Sequence, residues 1–220
     1  MATAISLPYG EDHERRLEAF GLSTEVIHNG LRRGAEHAAN RSSHALKTAA
    51  GTDVYQDGME DFTRLLSAGG WRQVDVDGQP RLMHPEGLMS FTISSGINVG
   101  SADLRRHPRT RRKGKATRGS LAPLPPHPSL FGDEDTGDPA ELAAKAATAP
   151  FYFLLCERAP QGGGVHIELA QPAAMTDGGS VNEWRDRIRV GFLPLEGDLS
   201  VFDHPDDEGP DEFDVPVEPR

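Results

Sequence analysis

At 220 residues, with 36% hydrophobic residues, 24 glycines and 17 prolines, the chain has room for one packed domain and more irregular segments than a compact domain needs. Its one cysteine, Cys156, cannot staple the chain. No apolar run approaches the roughly 20 residues that a membrane helix requires, so composition excludes a disulfide scaffold and a membrane-spanning helix. Formal charge is −11 and unevenly placed: residues 105–118 hold eight Arg or Lys and no acid, which leaves −19 for the rest.

In chain order, the first ten residues lack the basic start and apolar core of a signal peptide, so a cytoplasmic protein is expected. Residues 11–50 read as helix. Glu11 to Phe20 begins acidic and stops at Gly21. Ser23 or Thr24 caps a second helix whose Val26, Ile27, Leu31, Ala35 and Ala38 recur at helical spacing, with Gly30 and Gly34 weakening it by about 1 kcal/mol each against alanine. A third helix is expected from Asp57, with Glu60 three positions on, to the stop at Gly69-Gly70.

From Trp71 the period changes to two. Val74 and Val76 alternate with acids, Asp77-Gly78 is a hairpin turn, Leu82 and Met83 lie on the return strand, and Pro85-Glu86-Gly87 turns into Met89, Phe91 and Ile93. The basic run follows, then Pro123, Pro125, Pro126 and Pro128, then a cluster of acids. Asp138-Pro139-Ala140-Glu141 opens an alanine-rich helix to about Ala149. Phe151 to Cys156 reads as a strand buried on both sides, Gly162 to Gly164 as a turn, and Val165, Ile167 and Leu169 as a further strand. Asn182 is placed as the cap of a short turn carrying Trp184, ahead of a strand through Ile188, Val190 and Phe192, with Leu199 to Phe202 as a last edge.

The fold expected is α+β: a mostly antiparallel sheet, from a meander over 71–94 plus strands near 151–157, 165–170 and 187–193, packed with N-terminal helices. One domain spans 1–202, interrupted by the basic, proline-rich and acidic loop 105–137. The tail, 203–220, holds eight acids, one arginine and four prolines and is expected to be disordered.

Chemistry-bearing patterns are few. Nine histidines show no His-x-x-x-His and no paired cysteines, so no metal is expected, and nothing calls for a cofactor. Ser94 and Ser95 with His84, and the carboxylates of Glu168, Asp75 and Asp77, are the candidates for a catalytic site assembled from distant residues, but strand acids beside apolar neighbours normally form a wet face. Cys156 reads as a buried small hydrophobe and Trp71 as a core lid.

The basic run is the most distinctive feature. Arg105, Arg106, Arg109, Arg111, Arg112, Lys113, Lys115 and Arg118 are the candidate contacts to a polyanion, because guanidinium groups pair bidentately with phosphates. No Phe, Tyr or Trp lies between Ile93 and Phe131 to stack on bases, so contact with DNA or RNA through 105–118 would be indifferent to sequence. The expected function is therefore that of a non-catalytic accessory binding protein presenting this loop to a polyanion. The acidic tail, at net −7, could compete for the same cations. The alternative is a protein–protein adaptor, chaperone or immunity-type inhibitor that binds through its acidic surface.

Overall fold

A computed structural model describes residues 11–101, 103, 105–121, 139–159 and 162–195. The expectations for the proline-rich and acidic loop, for Leu199 to Phe202 and for the tail fall outside these residues. Five helices and seven strands are described: α1 (Glu11–Glu18), α2 (Thr24–Ala39), α3 (Ala49–Leu66), β1 (Arg72–Val76), β2 (Gln79–Met83), β3 (Ser90–Ile97), β4 (Arg109–Thr110), α4 (Lys115–Leu121), α5 (Pro139–Thr148), β5 (Phe151–Arg158), β6 (Gly164–Met175) and β7 (Val181–Pro194). The strands form one mixed, mostly antiparallel sheet in the order β1-β2-β3-β5-β6-β7, with β4 paired to the end of β3. The fold is α+β, as the sequence implies.

The helices α1 to α3 cover one face. Ser23 caps α2, its Oγ accepting from Val26 N at 3.1 Å, while the Glu14 carboxylate takes the Thr24 amide at 3.0 Å and hydroxyl at 2.6 Å and so joins α1 to the start of α2. The third helix begins at Ala49, eight residues before the expected cap. Asp57 is internal to it, because Asp53, Asp57 and Asp61 stand one turn apart and meet basic groups from α2 and from just after it. Arg41 donates to Asp53 at 2.6 and 2.7 Å, Arg33 reaches Asp61 at 3.1 Å, and His37 Nδ1 lies 3.1 Å from Asp57. The hydrogen bond from Arg41 holds the Asp53 carboxyl below its ordinary range.

The glycines that weaken α2 as an isolated helix have a tertiary reason. A methyl group on Gly30 would sit 2.4 Å from the Phe62 ring of α3, and one on Gly34 would sit 3.0 Å from the α3 backbone. Close approach of α2 and α3 is therefore traded against helix propensity.

The meander holds as read. Asp77 (φ 52°) and Gly78 (φ 78°) make the β1–β2 turn, Trp71 lies in the core against Phe91, and Phe91 meets Phe62 edge-on at 5.5 Å. β5 is buried on both sides. Tyr152 and Leu154 join the helix-side core, and Phe151, Phe153 and Leu155 join the core on the other side. It runs parallel to β3, the one parallel pairing in the described sheet. The last hairpin is longer than expected: Trp184 lies on β7, paired opposite Pro172 with irregular register on either side, and Asn182 is a strand residue, not a cap. The outer edge of β7 is closed by side chains from the helices, with Arg16 donating to Arg187 O at 3.2 Å, Arg32 to Pro194 O at 3.5 Å, and His13 Nδ1 3.1 Å from Arg189 O.

We expect Gly30→Ala to destabilise the protein by about 1–3 kcal/mol through overpacking, against a propensity gain of about 1 kcal/mol. A denaturant midpoint equal to or above the native one would show that α2 and α3 do not meet this closely.

A candidate polyanion-binding surface

The described residues between β3 and β5 lie on the sheet face opposite α1 to α3, and the basic run is among them. It is not a structureless loop: it contains β4 and α4, neither of which the residue pattern announces. Buried and half-buried hydrogen bonds fasten it at intervals. Val99 N donates to Glu157 at 2.6 Å and Gly100 N to Glu168 at 3.1 Å. Trp184 Nε1 donates to Pro108 O at 2.7 Å. Thr110 Oγ1 accepts from Val181 N at 3.0 Å, and Lys113 N donates to Gly179 O at 2.9 Å. Gln79 Nε2 donates to Thr117 Oγ1 at 3.4 Å, and Arg81 donates to Ser120 Oγ at 2.8 Å and Ala116 O at 3.3 Å.

Anchors and cations alternate along the run. Pro108, Thr110, Ala116 and Thr117 are buried, while Arg105, Arg106, Arg109, Arg111, Arg112, Lys115 and Arg118 are exposed. Arg106 stands 3.8 Å from Asp103 and Lys115 stands 3.7 Å from Asp77, both solvated pairs of little energetic weight. Among the described residues no carboxylate pairs with Arg105, Arg109, Arg111, Arg112 or Arg118. Among the described residues, the positive charge of the segment is thus held in place with few carboxylates to match it.

Lys113 differs from the other seven. Its side chain turns inward, with Nζ donating to Ser94 Oγ at 2.5 Å and lying 5.3 Å from the centre of the Phe153 ring. Burial, with Arg111 adding repulsion, brings its amine down from 10.5 to about 8. Nothing local distinguishes it from Arg111, Arg112 and Lys115; the alternation is set by where β4 and α4 meet the sheet.

Glu168 corrects the expectation that strand acids face water. It is fully buried, and its carboxylate accepts from Arg187 Nε at 2.5 Å, Arg187 Nη2 at 3.1 Å and the Gly100 amide. Arg187, partly exposed, also has Nη1 3.5 Å from His107 Nδ1, so the pair touches the start of the basic segment. Asp75 does behave as expected, accepting from Gly78 N at 2.7 Å in an exposed turn.

The catalytic candidates have other partners: Ser94 accepts from Lys113, and Glu168 pairs with Arg187. His84 packs edge-on against Trp71, and its Nδ1 accepts from Glu86 N at 3.1 Å within the turn that precedes β3. Burial pushes the Cys156 thiol up to about 12, far from nucleophilic. Among the described residues no three His, Cys, Asp or Glu side chains converge as a metal site would require, and no helix is long and apolar enough to cross a membrane. Comparison with known protein families, with curated proteins and with solved structures finds no match to this chain.

Because the folded state holds Lys113 at about 8 and an unfolded chain holds it near 10.5, the unfolded state binds more protons between those values. The penalty for burying the charged amine is therefore complete below about pH 8 and disappears as pH rises towards 10.5. We expect Lys113→Met to be more stable than the native chain at pH 7, with the difference shrinking by pH 10 in urea titrations. A difference that does not change with pH would place the amine in water.

Proposed function

We propose that this protein is a non-catalytic accessory binding protein whose β4–α4 segment docks onto a polyanion, with nucleic-acid phosphate as the best-fitting chemistry. The observation that carries the reading is the set of exposed arginines, Arg105, Arg109, Arg111, Arg112 and Arg118, without carboxylate partners among the described residues and joined to buried anchors. An ordered segment loses less conformational entropy on binding than a free one, so more of its electrostatic attraction becomes affinity. No Phe, Tyr or Trp lies within the segment, so contact is with the backbone of the nucleic acid and carries no base specificity. With the rest of the chain strongly acidic, attraction is confined to about a Debye length, roughly 8 Å at physiological salt. Binding is accordingly local, moderate and salt-sensitive.

The alternative, docking of a protein through the acidic surface, has weaker support. The aspartates of α3 are already matched by Arg33, His37 and Arg41, which leaves less free negative charge on that face than composition suggests.

With seven outward cations, the log–log dependence of duplex affinity on salt should have a slope of roughly −6, from about 0.9 per phosphate. Replacing Arg109, Arg111 and Arg112 by glutamine should bring it to about −4 and weaken binding at low salt, measured by fluorescence anisotropy on a generic DNA duplex and an RNA duplex. A slope that the triple replacement leaves unchanged, or no binding at low salt, would sink the proposal.

A further inference from the structure

A second cationic feature lies on the same face of the sheet, inside the cover that the segment forms. Arg81, on β2, is the largest fully buried side chain of the described residues. Its Cζ stands 4.1 Å over the Phe151 ring; Nε donates to Gln79 Oε1 at 3.0 Å, and Nη2 donates to Ser120 Oγ and Ala116 O. Every acceptor is neutral, and Nη1 is buried without a hydrogen-bond partner. Asp75 and Asp77 attract it from the β1–β2 turn without pairing with it. The adjacent ring, Phe153, lies 4.8 Å from Phe151 and carries Lys113, whose partner is the Ser94 hydroxyl.

Two desolvated cations on neighbouring aromatic rings, with no carboxylate of the described residues paired to either, are costly. A buried charge without its counter-charge is destabilising by several kcal/mol, and an unsatisfied buried N–H adds to that. Both groups register this: burial brings Arg81 down to about 10 and Lys113 to about 8. Proteins tolerate such local conflicts where a ligand resolves them. The groups present have the character of an oxyanion site: one planar guanidinium fork, one point charge and the hydroxyls of Ser94 and Ser120. Two positive charges match a phosphate, which carries about −1.5 to −2 near neutral pH, better than a singly charged carboxylate.

We propose that Arg81 and Lys113 form a binding site for a phosphate group, free or as a small monoester, in the layer between β5 and the β4–α4 segment. Approach is from the side of Lys113, the less buried of the two. Seating against Arg81 requires α4 to lift from β2, where side-chain bonds at Gln79–Thr117 and Arg81–Ser120 hold it. The site is separate from the outward arginines and stands or falls without them.

Thermal unfolding of the full chain in inorganic phosphate, methyl phosphate and acetate, at matched ionic strength, tests this. Binding to the native state alone raises Tm with ligand concentration. We expect a rising response to inorganic phosphate or methyl phosphate and none to acetate, the stronger of the two phosphates identifying the source. Arg81→Met and Lys113→Met should each weaken the response at least about tenfold, while Arg15→Gln, an exposed arginine of α1, should keep it. Should Arg81→Met fail to fold, Lys113→Met carries the comparison alone. No phosphate response, an equal response to acetate, or an undiminished response in Lys113→Met would overturn the site.

Discussion

The structure depends on one topological constraint: β5 pairs parallel to β3 and is apolar on both sides. Parallel neighbours cannot be joined by a tight turn, so the chain between them has to cross the sheet. One face is already taken by α1 to α3. The crossing must lie on the other, and it must cover Phe151, Phe153 and Leu155 there, or a large apolar area stays wet. The basic run lies within that crossing. Its cations are displayed on a fastened surface because the segment that bears them is also needed as the cover of a core.

That double duty explains the contacts holding the segment. A highly charged stretch has little apolar surface with which to bind a sheet, so it is attached mainly through polar bonds: Trp184 to Pro108 O, Val181 N to Thr110, Gly100 N to Glu168, and Arg81 to the end of α4. Buried hydrogen bonds contribute modestly when made and cost more when broken, so they define position more than they add stability. Glu168 is the clearest case. Its burial is tolerable because Arg187 neutralises it, and the pair fixes where the segment begins.

The opposite side of the sheet follows ordinary packing, with one exchange of local for global fitness. Glycines in α2 lower its helical propensity and allow α3 to lie close enough for Arg33, Arg41 and His37 to meet a ladder of aspartates. The acidity evident in the composition is therefore partly consumed inside the domain.

Where local pattern and global fold agree, the residues alone were enough. The alternation from Trp71 to Ile93, the Asp77-Gly78 turn, the Ser23 cap and the two-sided apolar run at Phe151 each depend on neighbours within a few positions, and each appears in the structure as its pattern implies. Charge likewise is a property of sequence, so the basic run could be singled out by counting. What only tertiary contact decided is direction and pairing: that α3 starts at Ala49, that Trp184 lies on a strand, that Glu168 is inside, and that Lys113 turns inward while Arg111, Arg112 and Lys115 on either side of it face outward. These depend on partners far away in the chain, such as Ser94 for Lys113 and Arg187 for Glu168, and a one-dimensional pattern holds no distance between them.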